Sequence, residues 1–279
     1  MTFVRAAQSD VPEIIAFLQE RSEYVMFPLN NLVQCGLDGD DDLAPRMWRN
    51  ASGPITDVLS ITKAGMILPF LPSGDFEAAA QALHGRNIIG VIGPAPHARG
   101  MQAALNLTKA AMELDADEAH FALDLSDLQI PDGKTQIVPL SENHRTVLTE
   151  WMIDYHITAL GMAAETAAQV VPERITREIS EDRRVVLLDA QTPVATTAFN
   201  ANLPDIVQVG GVYTPAHLRG HGHARRAVAL HLAQARNRGA RKATLFADSP
   251  SAIAAYRSVG FDQIGDWVLA ILKTPQVAQ

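Results

Sequence analysis

The sequence predicts a mixed α/β protein built from two similar halves. Each half opens with a short apolar strand that is followed at once by an amphipathic helix. In the first half the strand is Val4–Ala7, and Pro12 lies in the first turn of the helix. In the second half the strand is Gln136–Leu140, and Ser141 can cap the next helix. The repeated opening favours two related domains in tandem.

The chain has 279 residues, which is long for one compact core and suits two domains of roughly 140 residues each. Between the halves, Pro131 and the pair Asp132-Gly133 predict a turn or linker. We therefore place the boundary near residue 133, which gives domains 1–133 and 134–279.

The second half alternates between strand and helix patterns. Arg184–Leu188 and Pro193–Phe199 predict an antiparallel hairpin. A glycine-rich turn separates the next strand, Ile206–Thr214, from a helix over Ala224–Arg238, and Gly239 is placed to end that helix. The remaining predicted elements are a strand at Ala243–Ala247, a helix capped by Ser249 that stops at Gly260, and a strand at Trp267–Leu272 that closes this sheet.

Composition favours a soluble cytoplasmic protein. Cys35 is the only cysteine, so no internal disulfide can form, and this fits a reducing compartment. The N-terminus lacks a basic segment followed by an apolar run, so we expect no signal peptide. No apolar stretch approaches the roughly 20 residues that a membrane span needs.

The charge of the chain is unevenly distributed. Ile206–Phe246 contains no acidic residue and carries a charge of +7, while the rest of the chain carries −15. A positive segment on an acidic protein indicates a specific anionic ligand, because a nucleic-acid binder is usually basic over a whole domain. The basic residues of this segment are Arg219, Arg225, Arg226, Arg236, Arg238, Arg241 and Lys242.

The turn Arg219–Ala224 has the chemistry of an anion site. A helix N-terminus presents about four unpaired backbone N–H groups and roughly half a positive charge. Gly220 and Gly222 remove side chains where a pyrophosphate would approach the backbone. Arg225 and Arg226 in the first helical turn would repel the helix dipole unless a polyanion is bound.

Other interpretations of this turn fit less well. A mononucleotide P-loop requires Gly-Lys-Ser/Thr, which does not follow Gly222, and a dinucleotide fingerprint requires a third glycine where Arg225 stands. The histidines His217, His221 and His223 lie in a turn interrupted by glycines, and no cysteine or carboxylate completes a metal-ligand set. We therefore expect no metal.

Two segments resemble motifs of the GNAT acetyltransferase superfamily. Val212–Ala224 resembles motif A, Gln/Arg-x-x-Gly-x-Gly/Ala, with Gly220 and Gly222 in the glycine positions and His217 where Gln or Arg is usual. Ser249–Phe261 resembles motif B, Asn-Pro-x-Ala followed by Tyr-x-x-x-Gly-Phe, with serine in place of the asparagine. The resemblance implies a mostly antiparallel GNAT-type sheet flanked by helices, with two such domains in tandem.

The resemblance also implies acetyl-CoA as co-substrate and a primary amine as acceptor. Backbone N–H groups of Arg219–Ala224 would hold the pyrophosphate, Val212 and Tyr213 would pair with the pantetheine amides, and Tyr256 would protonate the leaving thiolate. The residues implied in cofactor contact are Val212, Tyr213, Thr214, Leu218, Arg219, Gly220, His221, Gly222, His223, Ala224 and Ser249.

The acceptor and the general base stay open at this point. Acidic charge outside the loop favours a cationic amine, such as a polyamine, an amino acid derivative or a peptide N-terminus. Gln208 and Asp205 are near the motif, but neither is a convincing base. The alternative function is a non-catalytic acyl-CoA-binding regulator.

A weak internal sequence repeat relates the two halves. Gly90-Val91 precedes Arg99-Gly100 much as Gly211-Val212 precedes Arg219-Gly220. Because the first copy lacks the second glycine, we expect a degenerate N-terminal domain that does not bind the cofactor.

Overall fold

The computed structural model describes residues 2–279, and the chain forms two compact units. The first unit contains the residues up to His120 together with Gly265–Gln279, and the second unit contains Phe121–Ile264. None of the helices in the described part of the chain is long and apolar enough to cross a membrane.

The same order of elements occurs twice along the chain: strand, two helices, three strands, helix, strand, helix, strand. The first series is β1 (Phe3–Arg5), α1 (Val11–Gln19), α2 (Met26–Cys35), β2 (Pro45–Asn50), β3 (Val58–Thr62), β4 (Met66–Phe70), α3 (Phe76–Ala82), β5 (Asn87–Pro94), α4 (Ala95–Ala104) and β6 (Met112–Asp124). The second series is β7 (Gln136–Pro139), α5 (Arg145–Thr158), α6 (Ala164–Glu181), β8 (Arg184–Asp189), β9 (Thr192–Asn202), β10 (Ile206–Tyr213), α7 (His223–Asn237), β11 (Lys242–Ala247), α8 (Pro250–Arg257) and β12 (Asp262–Val277).

The sheet of the first unit is antiparallel except at one junction. Strands β1 to β4 pair antiparallel in chain order, and β4 then pairs parallel with β5 through Met66↔Gly90 and Ile67↔Val91. The other edge of β5 pairs antiparallel with β12, from Trp267↔Pro94 onward.

The pairing of β12 corrects one expectation. Trp267–Leu272 is a strand, as predicted, but the prediction that it closes the sheet of the second half is wrong, because it pairs with β5 of the first unit. Trp267 and Val268 are almost fully buried there. An apolar strand pattern shows that a strand is buried but does not say which sheet edge it covers.

The second unit repeats this arrangement. Strands β7 to β10 pair antiparallel in chain order, and β10 then pairs parallel with β11. Leu187 packs with α7 residue Ala227, whereas its neighbour Val186 packs with α5 and α6 residues, so helices cover both faces of the sheet. The predicted hairpin, the strand–turn–helix–strand order and the Ser249 cap are all present.

The compact units differ from the boundary that the sequence suggests near residue 133. Residues 121–133 lie in the second unit, and residues 265–279 return to the first. As a boundary between domains that fold independently, residue 133 stays a prediction.

The internal repeat that the sequence suggests matches strands that do not correspond in the fold. In the repeated order, the counterpart of β10 is β4, so Gly90 of β5 does not correspond to Gly211 of β10. Gly100 lies inside α4, where an added Cβ would come within 2.4 Å of the ring of Phe76. Gly100 is therefore a packing glycine between α4 and α3 and not a remnant of a cofactor loop.

Candidate active site

The two parallel strands of the second unit separate along their length. The ladder pairs Ile206, Val207 and Gln208 of β10 with Lys242, Ala243 and Thr244 of β11, and no later pair forms among the described residues. The edge of Val209–Tyr213 that faces away from β9 is therefore open. Such an edge offers N–H and C=O groups that can pair with an extended ligand.

A bulge marks the same part of β10. Gly210 pairs with Ala198 and Tyr213 pairs with Thr196, so two residues of β10 stand opposite one residue of β9. Gly211 adopts a φ of +55° within the bulge, a conformation that glycine accepts at little cost. The bulge turns the Gly211 carbonyl out of the ladder with β9.

A buried arginine receives that carbonyl. Arg184 Nη1 donates to Gly211 O at 2.9 Å, and Arg184 Nε and Nη2 donate to the two carboxylate oxygens of Glu178 at 2.5 and 3.1 Å. The Arg184 side chain is 1% exposed, and an added Cβ at Gly211 would lie 2.7 Å from its Nη2 atom. Arg184 and Gly211 therefore fit only as a pair.

The ion pair is charged despite its burial. Desolvation alone would raise the pKa of the Glu178 carboxyl, but the charge of Arg184 and its hydrogen bonds outweigh that effect, and the pKa is lowered. Arg174 adds a third contact, since its Nε donates to Glu178 at 3.0 Å. Helix α6 thereby fixes the base of the bulge.

Helix α5 holds the carboxyl end of β10. Tyr213 OH donates to Asp154 Oδ2 at 2.5 Å. Burial, followed by the hydrogen bond to Asp154, raises the pKa of Tyr213 to about 12. The phenol therefore stays protonated near neutral pH, and Tyr213 is left to act through its backbone.

The loop after β10 contains two kinds of backbone N–H group. Those of Leu218 and Arg219 are engaged, since they donate to Pro215 O at 2.8 Å and to Ala216 O at 3.3 Å. The Leu218 side chain packs against the core beside α7. Leu218 therefore positions the loop and has no N–H group to offer.

The next N–H groups form an unpaired row. Gly220 and Gly222 have φ angles of +82° and +77°, and from Gly220 to Arg225 no backbone N–H donates to another group within residues 2–279. The first internal donation is Arg226 N to Gly222 O at 3.1 Å. An unpaired row at the start of a 15-residue helix fits an anion such as a pyrophosphate.

The basic segment does not converge on this loop. Arg226 donates to Thr135 Oγ1 at 2.6 Å, to Gly133 O at 2.7 Å and also to Pro131 O, so its charge holds the segment before β7. Arg225 has no ion pair or hydrogen-bond partner in the described chain and lies beside Gly222. The expectation that both arginines face an anion therefore fits Arg225 and is wrong for Arg226.

The loop histidines make local contacts. His221 Nδ1 donates to the carbonyl of Arg219 at 3.0 Å, and the rings of His221 and His223 stack at 5.8 Å between centroids. His217 is exposed in a short 3₁₀ turn. Across residues 2–279, no three His, Cys, Asp or Glu side chains lie close enough together to hold a metal ion.

Helix α8 carries the second motif. Ser249 Oγ accepts from the Ala252 N–H at 3.3 Å, so this hydroxyl caps the helix. Tyr256 is 8% exposed, and its ring lies edge-on to Phe261 at 6.1 Å. The cap and the glycine stop that the sequence predicts explain why α8 is only eight residues long.

Sequence reasoning missed the buried support beneath the bulge. Our sequence prediction gives Arg184 only as the start of an apolar strand and omits α6, which carries Glu178. The available signal was a charged residue directly before the run Val185–Leu188, because a charge buried in a strand requires a partner.

The fold and this site together define a class of protein. The sheet opens between two parallel strands, and a glycine loop follows at the start of a helix. Residues 147–261 match the model of the acetyltransferase (GNAT) family, so this part of the chain is a GNAT-family acetyltransferase domain. The predicted family and fold class are confirmed.

Solved structures resemble the chain over nearly its whole length. A Drosophila protein has a TM-score of 0.64 at 11% identity and covers 97% of this chain and 98% of its own. A GNAT-family acetyltransferase from Colwellia psychrerythraea has a TM-score of 0.53 at 11% identity, covering 98% and 100%. A tandem GNAT protein from the clavulanic acid biosynthesis pathway has a TM-score of 0.55 at 13% identity, covering 96% and 98%. These likenesses concern the fold, and no curated protein matches the chain in sequence.

Proposed function

We propose that the second unit binds acetyl-CoA along the open edge of β10 and at the loop Gly220–Arg225, and transfers the acetyl group to a primary amine. The observation that carries this proposal is the row of unpaired N–H groups placed directly after an open strand edge. Together they suit a ligand that has amide groups at one end and a pyrophosphate at the other.

Each part of the cofactor has a matching partner in this proposal. The backbone of Val212 and Tyr213 pairs with the pantetheine amides. The N–H groups of Gly220 to Arg225 receive the pyrophosphate, whose charge the helix dipole of α7 stabilises. Arg225 supplies a free cation beside Gly222, and Ser249 contributes by capping α8.

The chemistry is a direct transfer. The neutral amine nitrogen attacks the thioester carbonyl carbon, the C–N bond forms and the C–S bond breaks. The nitrogen releases one proton to solvent, and solvent returns a proton to the Tyr256 phenol after each turnover. Tyr256 gives a proton to the departing CoA thiolate, since a phenol with a pKa of about 10 can protonate a thiolate with a pKa of about 8.5.

Two measurements test the proposal in sequence. Acetyl-CoA at millimolar concentration should raise the melting temperature of the purified protein, because a ligand that binds only the folded state stabilises it. Release of CoA thiol should then follow when amines from a broad panel are added.

The outcomes separate the alternatives. No stabilisation by acetyl-CoA would remove the cofactor assignment. Stabilisation without thiol release for any amine would leave a non-catalytic acyl-CoA-binding regulator, the second function that the sequence suggests.

A further inference from the structure

A cavity that is open to solvent lies between α5 and α6 of the second unit. Its volume is about 490 Å³, and its walls are His156, Met162, Val170, Glu173, Arg174 and Arg177. This volume lies in the range of small-molecule sites, roughly 300–1,000 Å³. Two arginines, one carboxylate, one imidazole and two apolar side chains give the walls both charge and apolar surface.

The charges around the cavity favour an anion. Arg177 and Glu173 have no partner within the described residues, and Arg174 uses only its Nε atom, on Glu178. Glu178 is shared between Arg174 and Arg184. The five residues Arg174, Arg177, Arg184, Glu173 and Glu178 therefore have a net charge of +1. The Nη atoms of Arg174 and the guanidinium of Arg177 are available to bind a carboxylate.

His156 adds a hydrogen-bond acceptor to the cavity. Its Nδ1 lies 2.6 Å from the Met152 carbonyl, which can only accept, so Nδ1 carries the proton. Burial lowers the pKa of His156, and the neutral ring therefore leaves Nε2 as a hydrogen-bond acceptor. The cavity thus offers cations for an acid group and an acceptor for an N–H group.

The wall of the cavity is connected to β10. Glu178 binds both Arg174 of the cavity and Arg184, and Arg184 binds the Gly211 carbonyl at 2.9 Å. Gly211 lies on the open section of β10 where the proposed function places the pantetheine arm. Glu178 and Arg184 therefore join the wall of the cavity to the open section of β10.

We propose that this cavity binds the carboxylate of the acceptor, so that the substrate class is amino acids and similar amines that carry a carboxylate. The inference rests on the proposed function for the identity of the donor. The acidic charge of the whole chain would favour a purely cationic amine, but the charges that line the cavity are closer to the ligand and set its preference.

The test is calorimetric titration of five amino acids and their carboxamides into the full chain with saturating CoA. The probes are glycine, L-leucine, L-methionine, L-phenylalanine and L-glutamate. We expect at least one acid to bind about 10- to 100-fold more tightly than its carboxamide, the difference that a charge-assisted hydrogen bond provides. Arg177→Gln should remove that preference, and Val170→Trp should block the larger probes by filling the cavity.

Arg183→Gln is the matched control, since Arg183 pairs with Glu181 away from the cavity; it should retain wild-type binding. The inference is overturned if every carboxamide binds as well as its acid, if no acid binds, or if Arg177→Gln keeps the preference. Titration of CoA alone reports on the donor separately, so loss of CoA binding with intact acid binding would reject the proposed function and leave the cavity assignment standing.

Discussion

The two units follow the same path through strand, loop, helix and parallel strand, but the strand before the loop differs between them. In the first unit, β4 pairs with β3 without a register shift, and Pro69 within β4 has no N–H to offer. In the second unit, β10 carries a bulge whose carbonyl is held by Arg184.

The loops that follow these strands differ in charge. Asp75 precedes α3 and Glu77 lies in its first turn, whereas no acidic residue lies in the first turn of α7. The fully buried Asp57 accepts from Ser73 N at 3.0 Å and from Ser73 Oγ at 2.7 Å, so the first loop is closed onto a carboxylate. A pyrophosphate would meet negative charge there. The two units therefore share a fold, whereas only the loop of the second unit lacks the carboxylates that would repel a pyrophosphate.

The largest expected effect concerns the bulge, which the first unit lacks. Arg184→Met leaves Glu178 buried with only the half-exposed Arg174 as partner, and should lower the free energy of unfolding by about 3–5 kcal/mol. Urea unfolding measures this loss, and calorimetry should show weaker acetyl-CoA binding. In the double variant Glu178→Leu/Arg184→Met, stability should recover while cofactor binding stays weak. Full recovery of binding would show that Arg184 does not shape the site.

The glycines of the two loops offer a matched pair of substitutions. Gly222 and Gly74 have φ angles of +77° and +74°, so a side chain at either position costs about 1–2 kcal/mol of backbone strain. Gly222→Glu also places a negative charge at the helix start, and should weaken acetyl-CoA binding about 100-fold. Gly74→Glu should leave the dissociation constant unchanged, with one acetyl-CoA bound per chain by calorimetry. Equal losses in both variants would contradict the assignment of the site to the second unit.

Tyr256→Phe tests the proposed proton donor. Loss of a general acid slows the chemical step by about 100-fold, while acetyl-CoA affinity should be retained because the aromatic ring remains. Single-turnover measurement of thiol release reports that step directly. A wild-type rate would show that the thiolate obtains its proton elsewhere.

His231 of α7 gives the second unit a stability that depends on pH. Burial lowers the pKa of His231 to about 3, so the folded state keeps this ring neutral while the unfolded chain protonates it near the ordinary value of 6.5. The stabilisation is complete above pH 6.5 and is lost as the pH falls towards 3, by about 2 kcal/mol at pH 5. Unfolding measured from pH 7 to pH 5 should show a shallower loss for His231→Phe. The remaining slope should reflect the other buried histidines: His120, whose pKa burial lowers to about 4, and His97 and His156, whose pKa values burial also lowers.

Two neighbouring arginines should differ in their effects, and the smallest expected effect is that of Arg225. Arg225→Gln should weaken acetyl-CoA binding about 5-fold with no change in unfolding, because the side chain is exposed and has no partner in the described chain. Arg226→Gln should instead lower the unfolding free energy by about 1–3 kcal/mol, since it leaves several carbonyls without a donor. The reverse pattern would mean that Arg226, and not Arg225, faces the cofactor.

The features that could be predicted from sequence are those encoded locally. Gly220 and Gly222 predict a turn because of the conformation they allow, and Ser249 with Pro250 predicts a helix start because capping depends on adjacent residues. Both predictions are confirmed.

The features that could not be predicted depend on contacts between distant residues. Arg226 looks like a phosphate ligand in sequence, but the carbonyls that it binds lie more than 90 positions earlier in the chain. Arg184 binds the Gly211 carbonyl, which lies 27 positions later in the chain. A single sequence gives no information about which distant groups meet.

The return of β12 to the first unit has a consequence for the order in which the chain can mature. While a ribosome is still translating the second series, β5 of the first unit lacks its partner along one edge, because Trp267–Val277 has not yet been made. An uncovered strand edge is a template for unwanted pairing. The first unit is therefore completed only after the whole second series has been translated, so its maturation depends on synthesis of the second unit.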